Sequence, residues 1–212
     1  MSIGMYDHAY YTHDEYNVKF YNDTILTLVT KSPNLVDEWI SKIEHIHRRH
    51  LHRLVVGLDV EWRPNPTEDV KNPVATLQLC VGRRCLVFQI LHSSHIPESL
   101  VNFLRNPNYR FTGVGIWDVV FKLSNDYNLC VWKVADLREL AAEVYDVHEL
   151  NHAGLEDLTE WALDKEIYKP KTITMSNWDE ECLSPDQVQY ACLDAFLSFE
   201  IGRILIKGDY SF

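Results

Sequence analysis

Residues 54–63 read L-V-V-G-L-D-V-E-W-R, an apolar run that ends in two carboxylates one residue apart. Side chains alternate between the two faces of a strand, so Asp59 and Glu61 point the same way. Two acids side by side at the end of a buried strand repel each other, and a bound cation is the usual remedy. A surface strand end with chance acids is the plain alternative. Against it stands a stretch far downstream, Tyr190-Ala191-Cys192-Leu193-Asp194, which sets another acid on a helix with a phenol one turn before it.

The bulk numbers fit that reading. At 212 residues and 46% apolar composition the chain suits one α/β domain with a sizeable core, expected over 17–212 behind a flexible lead over 1–16. A net charge of −11 argues against a general nucleic-acid coat protein but not against an enzyme acting on nucleic acid, where metal ions supply local positive charge. The five cysteines are odd in number and form no C-x-x-C pair, so neither a disulfide framework nor a zinc module is indicated. With no basic start before an apolar segment and no run of membrane-spanning length, the expectation is an intracellular soluble protein of cytoplasm or nucleus, without a membrane partner.

Upstream of the central strand, residues 18–21 and 25–29 read as two short strands joined at Asn22-Asp23, and the spacing of Val36, Trp39, Ile40, Ile43 and Ile46 is helical. The histidines after that helix, His45, His47, His50 and His52, read as a solvated helix end rather than ligands. Downstream, three prolines over 64–73 mark a loop. Residues 75–81 and 85–90 then form a hairpin about Gly82, giving three consecutive antiparallel strands. A short helix over 97–104, a strand over 110–116, a helix over 117–126, a strand over 131–135 and a helix capped by Asp136 come next. After a helix over 155–163 and a polar loop over 167–179, Ser184-Pro185-Asp186 opens a long final helix. The order predicts a mixed sheet flanked by helices.

Asp59, Glu61, Asp118 and Asp194, spread over distant elements, are the kind of set that a two-metal phosphodiester hydrolase uses, though spacing alone does not bring them together. D-V-E-W in the central strand, G-V-G-I in the second motif and M-S-N-W…L-S-P-D-Q-V-Q-Y-A-C-L-D-A at the end resemble the exonuclease domain of the Werner syndrome protein and its plant relatives. These are DnaQ-like 3′–5′ exonucleases of the kind named for four acids and a tyrosine, and small stand-alone plant members look similar in length. The resemblance spans about residues 53–205. It implies an RNase H-like α/β fold, two Mg²⁺ or Mn²⁺ ions, single-stranded RNA or DNA 3′ ends as substrate, and a homo-oligomer that can close into a ring such as a hexamer. By the same resemblance Asp59 bridges both ions, Glu61 and Asp194 complete the shell of the ion that holds the attacking water, and Tyr190 positions that water.

The second motif departs from the family pattern, G-V-G-I-x-x-D followed by Lys-Leu. Here Asp118 comes one residue early and Val119 takes the usual place of the acid, while Lys122-Leu123 keep their spacing. One position on a helix is a rotation of about 100°. Asp118 is a ligand if the helix starts one residue differently or if a water bridges it to the ion. Otherwise the chain fits a degenerate relative that binds nucleic acid or protein and cleaves slowly or never. Trp62, Arg63 and Trp117 are candidates for stacking on a base or pairing with a phosphate, and Lys165, Lys169 and Lys171 for the strand's backbone.

Overall fold

The structure, a computed structural model, describes residues 3–6, 13–67 and 71–208. Three strands come first, β1 (Ile3–Tyr6), β2 (His13–Phe20) and β3 (Asp23–Thr30), then helix α1 (Pro33–Ile46). The central meander is β4 (Leu54–Glu61), β5 (Thr76–Val81) and β6 (Arg84–Phe88). Alternating elements complete the chain: α2 (Glu98–Leu104), β7 (Tyr109–Gly113), α3 (Ile116–Tyr127), β8 (Val134–Asp136), α4 (Leu137–Tyr145), α5 (Leu155–Leu163), the four-residue α6 (Lys171–Thr174) and the long α7 (Pro185–Gly208). The strands form one mixed sheet in the order β1-β2-β3-β6-β5-β4-β7-β8, with β4–β5–β6 antiparallel and β7 parallel to β4. This is the mixed, helix-flanked sheet that the sequence predicts.

The N-terminal boundary differs from the expected one. Residues 3–6 and 13–16, assigned to the lead, lie in β1 and β2, which pair with each other, while β2 pairs along its length with β3. On β2 the residues Tyr16, Val18 and Phe20 are buried at alternate positions, so the polar start H-D-E-Y belongs to a strand buried on one face. Residues 1–2 and 7–12 of the lead lie outside the described residues. β3 then joins the sheet parallel to β6, which ties this N-terminal meander to the strands beyond the acid pair.

α7 lies across the sheet over β4. Val188, Ala191, Cys192, Ala195 and Ile201 are wholly buried around it, the pattern of a helix enclosed by its own domain. It comes unusually close at Gly57, two residues before Asp59 and so on the same strand face. A Cβ at Gly57 would stand 1.9 Å from the Ala195 carbonyl oxygen and 2.6 Å from the Phe199 nitrogen. Only a residue without a side chain lets the helix backbone rest there. One turn further along α7, the Thr112 hydroxyl of β7 donates to the Ser198 carbonyl at 2.8 Å, a second fixed point.

Candidate active site

Because Gly57, Asp59 and Glu61 share one face of β4 and α7 rests on Gly57, the acid pair emerges beside the helix where Asp194 lies. One ligand oxygen from each of Asp59, Glu61 and Asp194 falls within 4.8 Å of the others. Asp194 is buried, and the two β4 acids are half-buried. Among the described residues this is the one group of three or more acidic, histidine or cysteine side chains so arranged, and His45, His47, His50 and His52 form none.

The electrostatics are those of an under-compensated anionic site. Burial, then the neighbouring Asp194, pushes the Asp59 carboxyl up to about 7. Burial together with Asp59 and Asp194 takes Glu61 well above the ordinary carboxylate range, and burial raises Asp194 in spite of its own ion pair. Three hard oxygen donors that resist sharing negative charge fit a Mg²⁺ or Mn²⁺ ion, whose binding removes that resistance. Among the described residues, Lys169 is the cation paired with the group. Its Nζ lies 2.6 Å from Asp194 Oδ2 and 4.7 Å from the Tyr190 ring centre.

Tyr190 sits one turn before Asp194, so both project from the same side of α7. Its hydroxyl is 3.0 Å from Thr174 Oγ1, and its ring packs against Trp178 with centroids 5.9 Å apart. Burial and the Asp194 charge push the phenol up to about 12, so it stays protonated near neutrality and can orient a water but not deprotonate one.

Asp118, expected as a fourth ligand, does not join this group. α3 begins after Gly115, whose left-handed φ of 63° makes the turn out of β7, and the helix then holds its register. Ile116, Val119 and Leu123 are its buried stripe, so Asp118, one residue before Val119, is rotated outward and exposed. Its negative charge bears on Arg138, which also makes two hydrogen bonds to the Asp136 carboxylate from its side chain. If the acid group serves nucleic-acid cleavage, as the sequence resemblance implies, Asp118→Asn is expected to leave the rate within about threefold of the parent, since an exposed charge outside that group contributes little. Steady-state kinetics on a labelled oligonucleotide checks this; a loss of about a hundredfold would mean that α3 reaches the site in another register.

A family described as 3′–5′ exonuclease matches residues 29–207. The chain belongs to that family. Within it, the chain is 38% identical over 152 residues to a 3′–5′ exonuclease of Arabidopsis thaliana, covering 71% of this chain and 52% of the relative. It is 34% identical over 143 residues to the bifunctional 3′–5′ exonuclease and ATP-dependent helicase WRN of Mus musculus, covering 67% of this chain and 10% of that protein. The chain thus spans about half the length of the Arabidopsis relative. Among solved structures, the Nibbler EXO domain of Aedes aegypti superposes with a TM-score of 0.67 at 17% identity, over 85% of this chain and 87% of that one. The EXD2 exonuclease domain soaked in Mn and GMP superposes with a TM-score of 0.50 at 25% identity, over 87% and 91%. The fold is the RNase H-like one, as expected.

The C-terminal motif of the chain builds the wall that holds Tyr190. Ser184 and Gln187 cap α7 reciprocally, the Ser184 hydroxyl accepting from the Gln187 nitrogen at 3.2 Å and the Gln187 side-chain carbonyl accepting from the Ser184 nitrogen at 2.9 Å. The Gln187 amide then donates to Ser176 Oγ at 2.9 Å, and fully buried Trp178 donates its indole N–H to the Thr174 carbonyl at 3.3 Å. Thr174, missed in the sequence because it lies in a segment that reads as loop, ends α6 and holds the phenol. Lys169 is visible in the sequence as a cation near the motif but not as the partner of Asp194.

Three of the other substrate candidates, Arg63, Trp62 and Lys165, have structural partners. Arg63 donates to Asp179 at 3.1 Å, and Trp62 is half-buried with Lys122 Nζ 5.0 Å above its ring. Trp117 is exposed, and Phe121, one turn later, is exposed as well, a residue that no motif singles out. Lys165 is drawn to Asp23 at 3.5 Å and over the Phe20 ring. No helix among the described residues is long and apolar enough to cross a membrane.

Proposed function

We propose that this chain removes nucleotides from the 3′ ends of single-stranded RNA or DNA by metal-dependent hydrolysis, using two Mg²⁺ or Mn²⁺ ions. The observation that carries the reading is the convergence of Asp59, Glu61 and Asp194 beside Tyr190. Bound there, the ions would lower the pKa of a water and neutralise charge developing on the leaving 3′ oxygen. The chain's own residues do the rest: the three carboxylates fix the ions, and the protonated Tyr190 hydroxyl, steadied by Thr174, donates a hydrogen bond that aims the attacking water. Beside Tyr190 opens a cleft of about 380 Å³ whose lining includes Tyr168, Ile173, Gln189, Tyr190 and Leu193, a mixed aromatic and polar surface suited to a terminal nucleoside. The non-cleaving alternative draws no support from the family match.

The test is direct. Oligonucleotide labelled at its 5′ end, incubated with the purified chain and Mn²⁺, should shorten stepwise from the 3′ end, and EDTA should stop the reaction. Tyr190→Phe is expected to lower kcat about 10- to 100-fold with little change in KM, because only the aim of the water is lost. No 3′ trimming in Mn²⁺, or trimming that persists in EDTA, would remove the assignment.

A further inference from the structure

We infer that Lys169 is a tethered cation that occupies the acid group in the metal-free chain and must leave it for a divalent ion to bind, so that this side chain sets the metal affinity. The inference rests on the metal site proposed above and goes beyond it by naming the residue that guards it. Three observations support it. The ammonium makes a short ion pair of 2.6 Å with Asp194, itself one of the three converging acids, and its field also bears on Asp59. The pair is largely enclosed, with Asp194 only 5% and Lys169 24% exposed at the side chain, so water does little to weaken it. The lysine enters from the segment between α5 and α6, where its own backbone N–H is fixed to Glu156 Oε1 at 2.9 Å. The main chain is thus anchored separately from the ammonium, so a change of rotamer in the four-carbon stem can withdraw the charge without moving the segment.

Charge drives the exchange. One ammonium, paired with Asp194, stands against three converging carboxylates. A divalent ion supplies what the lysine cannot, but two cations on the same Asp194 carboxylate repel at close range. Metal entry and lysine exit are therefore one event. An arginine could not leave so readily, since its planar fork would hold the carboxylate through two bonds.

The experiment uses the full chain and Mn²⁺ alone, with no nucleic acid. Isothermal titration near neutral pH should show Lys169→Met binding Mn²⁺ about tenfold or more tightly than the parent, while Lys169→Arg binds no more tightly than the parent. In the parent itself, amine acetylation read by mass spectrometry should label Lys169 severalfold faster at saturating Mn²⁺ than in EDTA, with Lys171 unchanged as the internal standard. This second readout needs no variant and survives a folding defect in Lys169→Met. Mn²⁺ affinity unchanged or weakened in a folded Lys169→Met, or Lys169 labelling unaltered by Mn²⁺ that demonstrably binds, overturns the exchange and leaves the metal site standing. Failure of the parent and of Lys169→Met alike to bind Mn²⁺ overturns both.

Discussion

Asp59→Asn is expected to lower the rate of 3′ trimming about a thousandfold or more and, at the same time, to raise the thermal midpoint of the metal-free protein at about pH 8. The first effect comes from losing one of the three acids that would hold the metal, and with it the electrostatic stabilisation of the reacting phosphate. The second comes from linkage. In the unfolded chain this carboxyl titrates at its ordinary value near 3.8, whereas in the fold, burial and Asp194 push it up to about 7. Between those values the folded state carries a proton that the unfolded state has released, so stability falls as pH rises. The loss is complete above about 7 and absent below about 4. Asparagine keeps the shape without the charge and escapes the loss. A higher Tm than the parent is expected in EDTA at about pH 8, the gain shrinking to nothing at about pH 4. Saturating Mn²⁺ should reverse the order by stabilising the parent more than the variant. Thermal unfolding monitored by circular dichroism at the two pH values decides it, and a variant less stable than the parent at the higher pH would show that Asp59 is at ease without a metal.

Gly57→Ala is expected to be the most damaging single-methyl change near the site. Its Cβ would fall 1.9 Å from the Ala195 carbonyl oxygen and 2.6 Å from the Phe199 nitrogen, both main-chain atoms of α7 that no rotamer change can move aside. The helix itself must lift. Overpacking against backbone costs about 3 kcal/mol, which at this size is a fall of roughly 6–12 °C in Tm. Asp194 rides on the lifted helix one residue before Ala195, so its oxygen is carried away from Asp59 and Glu61. A misplacement of about 1 Å at reacting groups costs about a hundredfold in rate. Unfolding and single-turnover trimming measured on the same preparation test the pair of effects. A variant that keeps the parent Tm would mean that α7 does not rest on β4 at this point.

How much of the site is legible in the sequence differs from residue to residue, for physical reasons. Asp59 and Glu61 are readable because a strand alternates, and Tyr190 with Asp194 because a helix repeats every three or four residues; both rules are local. The meander about Gly82 is equally local. Asp118 is not, because its direction depends on where α3 begins, and the left-handed Gly115 that fixes this leaves no periodic trace. β2 starts at His13, well before its apolar pattern does, because H-D-E-Y looks like a solvated lead until β3 is known to lie beside it and the Tyr16 ring to be buried. α6, at four residues, is below the length at which any periodicity can register. The meeting of Lys169 with Asp194 joins positions 25 apart across an irregular segment, and nothing in a one-dimensional pattern marks it.

The parallel pairing of β3 with β6 has a consequence for how the chain can be shortened. The family match begins at residue 29, so β1, β2 and most of β3 lie outside the matched residues. Cut to the matched residues, the protein would keep every acid of the site but would leave the main-chain donors and acceptors of R-C-L-V-F open along one rim of the sheet. An unprotected apolar rim of that kind invites a second molecule to add its own strand, so the N-terminal meander serves as a built-in guard against aggregation.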